Sequence, residues 1–99
     1  MRIYFKKRFK QIPRLLFREC GYKPWRDQKG RETYIKRLTK DFYPRFHIIY
    51  TKDNQGRPIL DLHLDYKRPI HARVARTYET ESEVVKREAE RIKQILEIY

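Results

Sequence analysis

Two segments of the sequence carry histidines and aspartates at alternating positions. His47 lies in the first segment, and Asp61, His63 and Asp65 lie in the second. Two imidazoles with neighbouring carboxylates could bind a metal ion such as zinc, or one histidine could act as a general base that an aspartate orients. His71, a few residues further on, could supply a third metal ligand. The candidate catalytic residues are thus His47, Asp61, His63 and Asp65, and the candidate metal ligands are His47, His63 and His71.

The candidate groups meet only if the two segments pair as a β-hairpin. Residues 45–51 and 59–66 both alternate apolar and polar side chains, and the loop 54–56 ends on a glycine that suits a left-handed backbone. The register that gathers the apolar side chains on one face pairs Phe46 with Leu64, Ile48 with Leu62 and Tyr50 with Leu60. It also places His47 opposite His63 and Arg45 opposite Asp65. That second face is either a functional site or the solvated side of a half-buried sheet.

Other elements follow from helix signals and alternation. A short helix is predicted over residues 12–20, with Pro13 in its first turn and Gly21 at its end. Its apolar face would comprise Ile12, Leu15, Leu16 and Cys20. Residues 3–5 read as extended, residues 22–30 as a polar loop and residues 32–38 as a first strand. The last helix should start near Glu83, capped either by Thr80 in a capping box or by Ser82 alone.

This order of elements predicts an α+β fold, with a three-stranded antiparallel sheet and both helices on one face of it. The chain of 99 residues allows a single domain, 1–99, in which residues 1–11 form a basic N-terminal segment.

Positive charge is concentrated at the front of the chain. The net charge is +12, and residues 1–40 hold 14 lysines and arginines against 3 acids. Aromatic residues alternate with these cations, a mixture that suits RNA or single-stranded DNA, whose phosphates attract cations and whose bases stack on rings. The candidate nucleic-acid-binding residues are Arg2, Lys6, Lys7, Arg8, Lys10, Arg14, Arg18, Lys23, Trp25 and Arg26. The simpler reading is that the rings belong to the core and the cations confer solubility.

Several classes of protein are excluded by what the sequence lacks. The single cysteine, Cys20, cannot form an internal disulfide, so a reducing compartment and a cytoplasmic location are expected. No apolar run approaches the roughly 20 residues of a membrane span. No phosphate-binding loop or dinucleotide fingerprint is present, so no cofactor is expected.

The run Tyr43-Pro44-Arg45-Phe46-His47, the run Asp61-Leu62-His63-Leu64-Asp65 and the Glu-rich terminal helix resemble a group of small bacterial proteins without a known activity. That group has a His-Ala-His segment, whereas here Arg73 stands in place of its second histidine. The predicted topology also resembles the double-stranded-RNA-binding fold and the small mRNA-cleaving toxins built on it. Gly30 is not followed by the histidine of those toxins, and acids stand where double-stranded-RNA binders carry lysines at the last helix.

The sequence therefore favours a small nucleic-acid-binding protein that contacts RNA or DNA phosphates, and a binding protein rather than an enzyme. One alternative is a His/Asp-based hydrolase such as a small nuclease. Another is an accessory subunit that docks on an acidic or ribonucleoprotein partner through the same cations. The oligomeric state stays open.

Overall fold

Six strands and two helices make up the part of the chain that the structure, a computed structural model, describes: residues 1–66, 78–79 and 81–99. The elements in chain order are β1 (Arg2–Tyr4), α1 (Pro13–Glu19), β2 (Lys23–Arg26), β3 (Glu32–Arg37), β4 (Arg45–Lys52), β5 (Pro58–Asp65), β6 (Tyr78–Glu79) and α2 (Glu83–Ile98). The fold is α+β.

The prediction of a three-stranded sheet is wrong. Five strands form one antiparallel sheet in the order β1-β5-β4-β3-β2, and β6 pairs with β5 beyond the end of β1. The predicted loop over residues 22–30 contains strand β2. The sequence does not indicate this strand, because Pro24 interrupts its pattern. Proline lacks a backbone N–H and is tolerated on an edge strand, where only one side of the strand needs hydrogen bonds. Strands β1 and β6, with three and two residues, are too short to show alternation.

The central hairpin forms in the predicted register. All three apolar pairs are present, and His47 lies opposite His63 and Arg45 opposite Asp65. The loop closes through Asp53, whose carboxylate accepts hydrogen bonds from the backbone N–H groups of Gln55 and Arg57. Gly56 has φ +78, the left-handed conformation that the sequence predicts for it.

One hydrophobic core lies between the helices and the sheet. It contains Leu16 and Phe17 of α1, the apolar residues of β4 and β5, and one stripe of α2. The stripe comprises Val85, Ala89, Ile92 and Leu96. Helix α2 begins as predicted at Glu83, and the Ser82 hydroxyl caps it by accepting a hydrogen bond from the Val85 N–H at 3.3 Å. Thr80, the other predicted cap, lies outside the described residues.

Helix α1 lies close to its predicted position, and two residues of its predicted apolar face, Leu16 and Cys20, are buried. Ile12 and Leu15 are exposed, whereas Phe17 is fully buried. The Phe17 ring lies 4.5 Å from the ring of Tyr34 and 5.8 Å from that of Tyr50, so aromatic packing on the sheet sets the rotation of this short helix. Neither helix of the described residues has the length and apolarity needed to cross a membrane.

Candidate functional site

The two histidines of the hairpin contact each other and one aspartate. His47 Nδ1 lies 2.9 Å from His63 Nε2, and Asp65 approaches both rings, with Oδ2 3.5 Å from His47 Nδ1 and Oδ1 3.2 Å from His63 Nε2. We call these three groups the His-Asp triangle. The alternation of β4 and β5 brings them together, because each points to the face of the sheet that the core does not use.

An arginine holds the carboxylate of the triangle from the other side. Arg45 Nε lies 3.2 Å from Asp65 Oδ2. The Arg45 guanidinium carbon lies 4.5 Å from the ring centre of Phe42, 4.8 Å from that of Tyr43 and 5.5 Å from that of Trp25. Three aromatic rings therefore surround this cation and fix its position.

Around the triangle, the second face of the sheet is not the solvated surface that the simpler interpretation of the sequence expects. The side chains of Arg45, His47, His63 and Asp65 are only 9, 12, 15 and 15% exposed. Ile35, which pairs with His47, is fully buried. The second face is thus also shielded at this end of β4 and β5, and the triangle lies in a largely dry environment.

Electrostatics in the triangle favour an ionised aspartate. Burial raises the pKa of the Asp65 carboxyl, but the adjacent rings of His47 and His63 outweigh this effect, so the pKa lies below its usual range. Two buried nitrogens, His47 Nε2 and Arg45 Nη1, form no hydrogen bond with any described residue. Unpartnered buried polar atoms are rare and often mark a site with a further role.

The structure separates the candidate aspartates. Asp61 lies outside the triangle, with its side chain 43% exposed and Oδ1 3.6 Å from the N-terminal ammonium. Asp65 is therefore the carboxylate that could orient a histidine or hold a metal ion. His71, the predicted third ligand, lies outside the described residues.

The ten candidate nucleic-acid-binding residues do not form one surface. Arg2 lies on β1 and Lys23, Trp25 and Arg26 lie on β2, the two outermost strands of the five-stranded order, about 19 Å apart for a strand spacing of about 4.8 Å. Arg14 and Arg18 are exposed on α1. Trp25 lies against Phe42, with 4.9 Å between the ring centres, and covers Arg45.

One groove, which we call the basic groove, is lined by the other four candidates, Lys6, Lys7, Arg8 and Lys10. It has a volume of about 780 Å³ and lies between the N-terminal segment, the β4–β5 loop and the C-terminal end of α2. Among the described residues, the charged ones that line it are six cations, Lys6, Lys7, Arg8, Lys10, Arg57 and Lys93, and two acids, Asp53 and Glu97. Asp53 is engaged by Arg57, with 2.7 Å between Oδ2 and Nε. The groove is thus strongly positive.

Aromatic rings also line the basic groove. Tyr4 and Tyr99 are 58 and 45% exposed, while Phe5 and Phe9 are packed against the core. Arg8 is anchored, since its Nε donates a hydrogen bond to the Gln55 carbonyl at 2.7 Å.

Sequence reasoning missed several residues of both regions. Arg57, Lys93 and Tyr99 join the groove from distant parts of the chain, and no local pattern marks them. Phe42 and Tyr43 lie beside Arg45 in the sequence. This proximity to an arginine of the hairpin is the one signal that could have indicated their contact with it. No known protein family, curated protein or solved structure matches the chain.

Proposed function

We propose that the chain binds nucleic acid, with the phosphates of a single-stranded segment lying in the basic groove. The observation that carries this proposal is the composition of the groove, whose lining in the described part of the chain has six cations against two acidic side chains, with exposed tyrosine rings beside them. Cations displace the counterions of the phosphate backbone, and open ring faces give unpaired bases a surface on which to stack.

The charges of the groove are available to a ligand. Lys6, Lys7 and Lys10 are exposed, and none of them forms an ion pair with a described residue. Arg8, held by the Gln55 carbonyl, offers its remaining guanidinium nitrogens in a fixed orientation. A positive groove whose lysines lack acidic partners attracts an extended polyanion more strongly than cations that are already paired.

The geometry supports the hydrolase alternative less well. The groove meets β5 at Pro58, whereas His63 lies five residues further along the strand, about 16 Å away, with its side chain on the opposite face. A nucleic-acid segment bound in the groove would therefore not reach the His-Asp triangle. Binding in the groove and chemistry at the triangle are therefore separate proposals.

Two charge-reversal variants test whether nucleic acid binds in the groove. We expect Lys6→Glu/Lys7→Glu/Lys10→Glu to weaken binding of a fluorescein-labelled single-stranded oligonucleotide at least tenfold, measured by polarisation, because three phosphate contacts are replaced by repulsion. The matched control is Lys23→Glu/Arg26→Glu/Lys29→Glu at the β2 edge, which lowers the net charge equally and should weaken binding much less.

Two results would contradict the proposal. Equal losses in both variants would mean that overall charge, not the groove, drives binding. An unmodified chain that binds neither RNA nor DNA oligonucleotides, but an acidic protein partner, would favour the accessory-subunit interpretation instead.

A further inference from the structure

The two ring nitrogens and the two carboxylate oxygens of the His-Asp triangle cannot all be satisfied by hydrogen bonds to one another. Each contact, at 2.9, 3.2 and 3.5 Å, needs one hydrogen between its two heavy atoms. If both ring nitrogens carry a hydrogen, these two hydrogens face each other across the shortest contact. If only one does, the lone pair of the other nitrogen faces an oxygen of the ionised Asp65. At least one of the three contacts is thus repulsive in each arrangement.

A single cation between the two ring nitrogens and the carboxylate removes this conflict, because the lone pairs of all three groups then point at positive charge. We propose that His47 Nδ1, His63 Nε2 and the Asp65 carboxylate bind one divalent transition-metal ion of the zinc type. The described residues contain this one group of three histidine, cysteine or acidic residues whose ligand atoms lie within 4.8 Å of one another. Two imidazoles with one carboxylate form a donor set that suits zinc and its neighbours in the first transition row.

The spacing of the donor atoms fits such an ion. Zinc bonds to nitrogen and oxygen of about 2.0–2.2 Å put tetrahedral ligands about 3.3–3.5 Å apart. His63 Nε2 already lies at about that distance from Asp65 Oδ1, and His47 Nδ1 lies 3.5 Å from the other carboxylate oxygen, Oδ2. The ring nitrogens at 2.9 Å need to separate by about 0.4–0.6 Å. Three protein ligands leave a fourth position of the ion for a solvent oxygen.

The surroundings of the triangle position the carboxylate for this role. Arg45 holds Asp65 Oδ2 at 3.2 Å and is itself fixed by three aromatic rings, so Oδ1 is left to face His63. Partners behind a ligand that fix its orientation in this way are typical of metal sites. Low exposure of all three ligands reduces competition from bulk water.

The test is zinc binding by the full, untagged chain after treatment with a chelator. Isothermal titration with ZnCl₂ should show one ion per chain, and Zn²⁺ should raise the melting temperature. His47→Gln and Asp65→Asn should each weaken binding at least tenfold. The matched control is Asp61→Asn, which removes a carboxylate from the same face of β5 outside the triangle and should keep the affinity of the unmodified chain.

Failure of the unmodified chain to take up one equivalent of Zn²⁺ would overturn the proposal, and so would equal losses in Asp61→Asn and Asp65→Asn. Where the triangle variants do not fold, the decision rests on Co²⁺ titration of the unmodified chain. If the visible absorption of Co²⁺ bound to nitrogen and oxygen ligands appears and saturates at one equivalent, the result supports the site. If this absorption does not appear, the site is rejected. The triangle lies on the opposite face from the basic groove, so neither result bears on nucleic-acid binding.

Discussion

Glu88 shows how one buried acid joins several elements of the structure. Its side chain, 6% exposed on α2, accepts hydrogen bonds from the Tyr22 hydroxyl at 2.6 Å and from Arg91 Nε at 2.7 Å, and lies 3.7 Å from Lys36 Nζ. Arg91 also donates to the Cys20 carbonyl at the end of α1. Hydrogen bonds from two side chains and the charge of a nearby lysine satisfy this carboxylate without bulk water, which is the condition under which a buried charge is tolerated.

The pH dependence of stability should reveal this network. Burial raises the pKa of the Glu88 carboxyl, and the hydrogen bonds from Arg91 and Tyr22 with the charge of Lys36 outweigh it, so the folded pKa lies below the usual value of 4.5. A depressed folded pKa contributes stability that is present above pH 4.5 and is lost as the pH falls through the folded value. We expect Glu88→Gln to lower the free energy of unfolding by about 2 kcal/mol at pH 7 and by much less at pH 3.

Urea unfolding of both proteins at the two pH values measures this difference. Glu90→Gln, which changes an exposed acid of the same helix, serves as the control and should alter stability by less than about 0.5 kcal/mol. A Glu88→Gln effect of the same size at pH 3 and pH 7 would show that the carboxylate charge plays no part.

At the scale of elements, the β4–β5 hairpin is the part of the fold that the sequence predicts best. Alternation over two eight-residue strands and a glycine in the loop leave one register that keeps Phe46, Ile48 and Tyr50 on the core side. Strand β2 could not be predicted in the same way, because Pro24 breaks its alternation. Its residues form a strand because they pair with a neighbouring strand, which the local sequence does not show. The rotation of α1 also depends on distant residues, since Phe17 packs against rings of β3 and β4.

Gly56 links the hairpin to the N-terminal segment and gives a test at this scale. A Cβ at this position would lie 2.8 Å from Arg8 Nε, and the backbone φ of +78 disfavours any other residue. We expect Gly56→Ala to destabilise the chain by about 1–2 kcal/mol, partly from backbone strain and partly because Arg8 must leave the Gln55 carbonyl.

Gly30 provides a matched control for the backbone strain. Its φ is +73, and a Cβ there would meet nothing within 4 Å, so Gly30→Ala should cost only the strain, about 1 kcal/mol. Thermal unfolding measures both variants, since 1 kcal/mol corresponds to a shift of about 4–8 °C in a domain of this size. If Gly30→Ala were the more destabilising of the two, the contact with Arg8 would contribute nothing.

At the scale of the whole molecule, the fold distributes the positive charge of the N-terminal part. The sequence shows the excess of cations in residues 1–40, but the sheet order carries β1 and β2 to opposite edges and α1 to the helical face. A count along the chain could not show this separation, because the strand order is set by long-range pairing of β1 with β5. The basic groove likewise forms from both ends of the chain, with Lys6 on one side and Lys93 on the other.

The candidate site on the other face was predicted in part. The hairpin register alone brings His47 to His63 and Arg45 to Asp65. The choice of Asp65 over Asp61, and the enclosure of Arg45 by Trp25 from a distant strand, follow only from the three-dimensional packing. Local pattern therefore predicts pairs across a hairpin, and global topology decides which pairs are buried.

The dependence of oligonucleotide affinity on salt tests the central claim most directly, because it counts the phosphates that the chain neutralises. If four or five of the six groove cations each contact a phosphate, the logarithm of the binding constant should fall with the logarithm of salt concentration with a slope of about −3 for a single strand. Reversal of Lys6, Lys7 and Lys10 should flatten that slope, and reversal at the β2 edge should leave it nearly unchanged. An affinity that does not vary with salt, or a slope that the groove variant shares with the unmodified chain, would contradict nucleic-acid binding in the basic groove.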